Sequence, residues 1–155
     1  MLFIAFLSFG SVALSQNVGG MSGPCSAFAI PSPYTTPVTL LGATTAASSA
    51  FSSTCYSNDQ GPVVWYTITP TAGTNVTITT CNPGTNFDTV ISVYTGTCHI
   101  LSCLLYNDDA YCNSTNSLST VSFLPAANTI YYIAVGGYST SKGNFHANFN
   151  YYFSF

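Results

Sequence analysis

Apolar and polar residues alternate along much of the chain with a period of two, the pattern of a β-strand that buries one face. Short runs of this kind, rich in β-branched and aromatic residues, are separated by Gly, Pro, Asn and Asp, which favour turns. The runs occupy residues 63–69, 75–80, 89–95, 119–123 and 130–135. No segment has a convincing helical period, so the pattern predicts an all-β domain, an antiparallel two-sheet β-sandwich.

The last run is the longest and the most aromatic. Its apolar positions, which alternate with mostly polar ones, are Phe145, Ala147, Phe149, Tyr151, Phe153 and Phe155. One face of this strand is therefore predicted to be buried. Residues 42–54, by contrast, are small and hydroxylated, and we interpret them as a surface crossing rather than a core element.

Residues 1–15 have the features of a secretory signal peptide. An apolar run ends on small residues, with Ala13 and Ser15 at the positions that a signal peptidase prefers. The run has about 14 residues, whereas a helix that spans a bilayer needs roughly 20. We therefore expect residues 1–15 to be removed, leaving residues 16–155 as a single secreted domain with no membrane insertion.

Export to an oxidising compartment makes the six cysteines interpretable as three disulfides that staple the sandwich. Spacing alone does not resolve the pairing, but a bridge across the short sequence "HILS" is the most local choice. The predicted pairs are then Cys98–Cys103, Cys25–Cys55 and Cys81–Cys112. The sequons Asn75-Val-Thr and Asn113-Ser-Thr are candidate N-glycosylation sites in the same compartment.

The chain is almost without charge. Charged residues make up 3% of it, with one Lys or Arg and a net charge of −3, against about 25% in an ordinary soluble protein. Such a chain cannot neutralise a phosphate backbone or adhere to an anionic membrane surface. Nucleic acid is therefore excluded as an expected partner.

The order of four motifs resembles that of the bacterial pre-peptidase C-terminal domain and related secreted β-sandwich modules. The motifs are "VVWYTITP", "TTCNPGTNFDTVISVYTGTC", "LLYNDDAYC" and "YYIAVGGYSTSKGNF". The resemblance implies a jelly-roll-like sandwich that is non-catalytic and is usually appended to secreted enzymes or surface proteins. The last strand differs from this pattern, because it continues through "NYYFSF".

Three of the four acidic residues lie at strand ends: Asp88 precedes the run at 89–95, and Asp108 and Asp109 follow "LLY", which we expect to end a further strand. The favoured interpretation is that their carboxylates accept backbone N–H bonds in tight turns. The alternative is a Ca²⁺ site, because calcium prefers oxygen ligands from loops, with the Asn107 amide as a further ligand. No cofactor is required by the sequence, and Ca²⁺ is the one candidate.

No catalytic motif accompanies the two histidines. His99 and His146 lack a neighbouring nucleophile or metal-binding signature, and we interpret both as surface residues and Trp65 as a core residue. A catalytic carboxylate pair is the weakest interpretation of the acidic cluster. The sequence therefore predicts a protein that is not an enzyme.

Two non-catalytic functions fit a secreted protein of the extracellular space or the cell surface. In the first, copies of the chain assemble into a fibre, sheath or coat, because its surface lacks charge repulsion and its terminal strand is aromatic. The residues expected to dock on a neighbour are Phe149, Tyr151, Phe153 and Phe155. The alternative is a glycan-binding or adhesive module that uses Tyr111 and Tyr138, and a remote one is an accessory domain of a secreted hydrolase.

Overall fold

A computed structural model describes residues 12–15, 23–31, 37–47, 55–57, 61–112 and 115–153 of the chain. Within these ranges the chain forms twelve strands and one 3₁₀ turn at Pro24–Ser26. The strands are β1 (Val12–Ser15), β2 (Phe28–Ala29), β3 (Val38–Ala43), β4 (Val64–Ile68), β5 (Thr74–Thr79), β6 (Thr89–Thr97), β7 (Ile100–Asn107), β8 (Ala110–Cys112), β9 (Thr115–Leu118), β10 (Thr120–Phe123), β11 (Tyr131–Gly137) and β12 (Asn144–Phe153). All six predicted runs are confirmed as strands, and β7 is the further strand that was expected to end in "LLY". The strands β1, β2, β3, β8 and β9 lie outside the predicted runs.

Two five-stranded sheets form the sandwich that the sequence predicts. Sheet A has the strand order β1-β3-β12-β5-β10, and sheet B has the order β2-β4-β11-β6-β7, while β8 and β9 form a separate hairpin. The pairings are antiparallel except at one edge of each sheet, where β1 runs parallel to β3 and β2 runs parallel to β4. Since β1 falls within the predicted signal peptide, its removal would leave β3 as an edge strand.

The main core lies between the two sheets and is built from the inward positions of the alternating strands. Tyr66 of β4 is fully buried, with its ring edge-on to Phe145 and Phe149 of β12 at centroid distances of 6.4 and 5.9 Å. Gly42 in β3 makes room for this packing, because a Cβ at that position would overlap the Phe145 ring. Gly42 and Ala43 are thus part of a sheet strand, which corrects their interpretation as a surface crossing.

The terminal strand β12 is the central strand of sheet A. It pairs with β3 over Asn144–Phe149 and with β5 over Asn148–Phe153. Phe149 is fully buried and Tyr151 packs against the main core, so neither is free to dock on a neighbour. The strand beyond Phe149 belongs to its own sheet as far as Phe153, because it pairs with β5 over that length. Of the four residues expected to dock on a neighbour, Phe153 is exposed, at 53%, and Phe155 lies outside the described residues.

A second apolar cluster covers the outer face of sheet B. It contains Val63, Trp65, Tyr94, Tyr132 and Ala134, all buried. Segments from the N-terminal part of the chain lie over it, with Ala27 and Cys55 packed against the cluster. Trp65 is therefore a core residue, as predicted, but of this outer cluster rather than of the space between the sheets.

Two disulfides tie the segments around Ala27 and Cys55, which we call the N-terminal cover, to the β6–β7 hairpin. The bridges are Cys25–Cys98 and Cys55–Cys103, and the third is Cys81–Cys112. The predicted Cys81–Cys112 pair is present, but the pairs Cys25–Cys55 and Cys98–Cys103 are wrong. The reason is that β7 begins at Ile100, so an extended strand separates Cys103 from the turn at Cys98 by more than a disulfide can span.

Candidate functional site

The three carboxylates meet at one rim of sheet B. Asp88 immediately precedes β6, while Asp108 and Asp109 follow β7. Because β6 and β7 are antiparallel neighbours, with Ile91 opposite Asn107, the start of one strand lies beside the end of the other. One carboxylate oxygen from each aspartate lies within 4.8 Å of the others, and we call Asp88, Asp108 and Asp109 the acidic rim.

Side-chain hydrogen bonds fix the loop that carries two of these aspartates. Asn107 Oδ1 accepts the Thr120 N–H at 2.9 Å, and Asn107 Nδ2 donates to the Asp109 carbonyl at 3.1 Å. Ser119 Oγ donates to the Asp108 carbonyl at 2.8 Å. The Asn107 amide is therefore occupied in shaping the turn, which corrects its expected role as a metal ligand.

Two oxygens of the acidic rim are buried without a hydrogen bond. Oδ1 of Asp88 and Oδ1 of Asp108 have no hydrogen-bond partner, whereas Asp108 Oδ2 accepts a bond of 2.7 Å from Tyr56 Oη. Neither Oδ1 atom caps a backbone N–H, so the turn-capping interpretation does not account for these atoms. Carboxylate oxygens without a protein donor, on three aspartates whose carboxylates lie within 4.8 Å of one another, are ligands of the kind that Ca²⁺ prefers.

The electrostatics of the acidic rim also favour a bound cation. Burial raises the pKa of Asp88, and the neighbouring charges of Asp108 and Asp109 raise it further. Like charges that are held together disfavour the ionised state unless a cation is present. A bound divalent cation would offset both causes of the shift, which makes the rim a chemically sensible place for calcium.

A cluster of three tyrosines adjoins the acidic rim. The ring of Tyr56 stacks on Tyr106 with centroids 4.8 Å apart, and the ring of Tyr138 lies 6.4 Å from Tyr56. Tyr106 and Tyr138 are 45% and 38% exposed. Because Tyr56 also hydrogen-bonds Asp108, this tyrosine cluster and the acidic rim form one continuous surface.

Sequence reasoning found only part of this surface. Tyr138 was predicted as a glycan contact and lies in the cluster, whereas Tyr111, the other predicted contact, lies apart on β8, 88% exposed. Tyr56 and Tyr106 were missed. The disulfide Cys55–Cys103 brings Tyr56 to β7, which carries Tyr106. The correct cysteine pairing would have indicated this contact, whereas the predicted pairing of Cys55 with Cys25 did not.

The remaining candidate residues take no part in this surface. Asn75 lies on β5 and Asn113 lies outside the described residues. His99 is exposed, with Nδ1 3.6 Å from Cys25 Sγ, and the half-buried His146 ring lies over Gly84. Neither histidine is placed beside a carboxylate of the acidic rim in the described contacts.

The model of the bacterial pre-peptidase C-terminal domain family matches residues 62–137, from just before β4 to the end of β11. The resemblance drawn from the motifs is therefore confirmed over this part of the chain. The domain is a module of secreted proteins that is often attached to proteases and is typically non-catalytic. No curated protein matches the chain.

The match includes the whole acidic rim and Tyr106 but not Tyr56 or Tyr138. The N-terminal cover and β12 also lie outside it.

In the part of the chain that the structure describes, no helix is long and apolar enough to cross a bilayer.

Proposed function

We propose that this chain is an extracellular domain that binds Ca²⁺ at the acidic rim and a glycan on the adjoining tyrosine cluster. The proposal takes into account that the chain resembles a secreted module that is typically non-catalytic. One observation carries the proposal. The side chain of Tyr56 joins the two features, because its hydroxyl donates to Asp108 while its ring stacks on Tyr106. A ligand that lies on the exposed rings therefore also reaches the carboxylates.

The calcium part of the proposal rests on charge. Three of the four acidic residues of a chain with a net charge of −3 are gathered within a few ångströms. Two of their oxygens are buried with no donor to stabilise them, a costly arrangement for isolated carboxylates. Calcium takes six to eight oxygen ligands, so three carboxylates leave positions for backbone carbonyls, water or the hydroxyls of a ligand.

The glycan part rests on the exposed rings. Tyrosine rings present an apolar face with a polar tip, which suits the apolar face and hydroxyl edge of a sugar. Tyr106 and Tyr138 offer such faces at the edge of the acidic rim. A neutral sugar fits better than an acidic one, because the carboxylates would repel an anion.

We expect millimolar Ca²⁺ to raise the unfolding temperature of the wild type relative to chelator, because calcium binds only the native arrangement. Asp88→Asn should abolish the rise, while Asp59→Asn, which removes the fourth acidic residue of the sequence, should preserve it.

With calcium present, the binding of neutral oligosaccharides is measured by calorimetry for the wild type, Tyr106→Ala and Tyr111→Ala. Loss of binding in the first variant alone supports the tyrosine cluster, and equal loss in both contradicts it.

In chelator, we expect the unfolding temperature of the wild type to rise as the pH is lowered from 7 towards 4. The raised pKa of Asp88 means that the folded protein binds this proton more tightly than the unfolded chain. The resulting stability is fully present below the unfolded pKa of about 4 and is lost as the pH rises through the higher folded pKa. Asp88→Asn should flatten the trend, and calcium should reverse it, because the metal binds the ionised carboxylates.

Self-association into a structural assembly is the second candidate function. The observation in its favour is the edge strand β7, where Ile100 and Leu104 are 76% and 47% exposed. An edge strand with exposed apolar side chains can pair with the same edge of another copy. The terminal strand no longer supports this function, because it is central to its own sheet.

A further inference from the structure

The outer face of sheet A is polar but carries no charge. Strands β3, β5, β10 and β12 contain no Asp, Glu, Lys or Arg. Their outward side chains bond to one another across the strands, as in Thr39–Asn148 at 2.9 Å, Thr79–Thr120 at 2.7 Å and Thr77–Ser122 at 2.8 Å. These polar side chains therefore form hydrogen bonds with one another, and the four strands carry no charged side chain that would repel a second sheet.

Asn75 lies on this outer face. In β5 the residues Val76 and Ile78 are fully buried, so the alternation places Asn75 and Thr77 on the side away from the core. Asn75, Val76 and Thr77 form one of the two sequons. Since attachment occurs on the chain before it folds, the later pairing of β5 is no obstacle, and the half-buried Asn75 side chain can still project a sugar outward.

An exposed aromatic ring stands directly opposite Asn75. In the antiparallel pair of β12 and β5, Tyr152 is the register partner of Asn75, and 57% of Tyr152 is exposed. Residues directly opposite on one face of an antiparallel pair have Cβ atoms about 4.5–5.5 Å apart. The ring of Tyr152 is thus within reach of the first sugar on Asn75.

We propose that Asn75 carries an N-linked glycan whose first sugar packs on the ring of Tyr152 and whose remainder covers the outer face of sheet A. In the attachment step, Asn75 Nδ2 forms a bond to C1 of the first sugar of a lipid-linked oligosaccharide. The bond from C1 to the lipid pyrophosphate breaks, and the pyrophosphate leaves with the electron pair while the amide loses one proton. The function of the acidic rim plays no part in this inference.

The position of Asn75 gives the glycan a physical role. β5 lies next to β10, which is an edge strand of sheet A. Uncharged edges and faces of this kind are prone to pair with other sheets, and a bulky hydrated group one strand inward would obstruct that approach. The glycan supplies the solubility that charged side chains supply in other proteins.

The test uses the full chain secreted from a eukaryotic host, with Asn113→Gln leaving Asn75 as the one sequon. We expect a glycosidase-sensitive mass that maps to Asn75. After trimming to one sugar, the unfolding temperature should exceed that of the same protein from a host without N-glycosylation by roughly 2–4 °C, as expected for one added contact. An unmodified Asn75 would overturn the proposal.

The role of Tyr152 is tested by substitution in the same background. Tyr152→Thr should reduce the gain from the single sugar to less than half, while Tyr152→Phe and the distant control Tyr111→Thr should retain it. A second readout needs no variant, because stacking on a ring shifts the proton resonances of the first sugar upfield relative to a free glycopeptide. Unshifted resonances, or an equal gain in Tyr152→Thr, would show that the sugar does not pack on this ring.

Discussion

Replacing Phe149 by alanine is expected to lower the free energy of unfolding by about 3–5 kcal/mol, the usual cost of emptying a buried phenylalanine site. Phe149 is fully buried on the central strand β12, opposite Val38 on one side and Ile78 on the other. Its ring also meets the edge of Tyr66 across the sandwich. Both sheets therefore lose contacts, and denaturant unfolding of the purified variant measures the loss.

Phe153→Ala is the matched control, because it removes the same side chain from the same strand at a position that is 53% exposed. We expect a change well below that of Phe149→Ala, since surface truncations usually cost little. Equal costs would mean that β12 is buried along its whole length. If Phe153→Ala keeps its stability but alters the elution volume of the protein on a sizing column, the end of β12 contributes to self-association after all.

The alternating pattern of β12 was readable from the sequence, but its position in the sheet was not. A period of two states which side chains point inward, and Phe145, Ala147 and Phe149 are indeed fully buried. The period says nothing about the number of partners that a strand has. β12 has two partners because β3 pairs with it from more than a hundred residues away in the chain. β3 was itself missed because it ends in Gly and Ala, which are not typical of strands.

The acidic rim was accessible to sequence reasoning for a local reason. Its aspartates flank two strands that are joined by a tight turn, so antiparallel pairing alone brings them together. The tyrosine cluster is different, because Tyr56 arrives from a segment about 50 residues before Tyr106. Only the correct disulfide pairing reports that contact, and spacing could not select it.

Removing the Cys55–Cys103 bridge by a double alanine substitution is expected to destabilise the protein by about 4 kcal/mol, the chain-entropy value for cysteines separated by 48 residues. The bridge also holds the N-terminal cover on the outer cluster of sheet B. Trp65, the one tryptophan of the chain, is fully buried there, with its ring 5.5 Å from Tyr94. Loosening the cover should therefore shift the Trp65 emission to the red and raise its quenching by acrylamide under native conditions.

The Cys81–Cys112 bridge provides the control, because its cysteines are 31 residues apart and its removal is expected to cost a similar free energy. This bridge joins the end of β5 to β8 and lies outside the outer cluster. Its loss should lower the unfolding midpoint while leaving the native Trp65 emission unchanged. If both double variants expose Trp65 equally, the effect is one of global stability, and the N-terminal segment is not held on sheet B by its own disulfide.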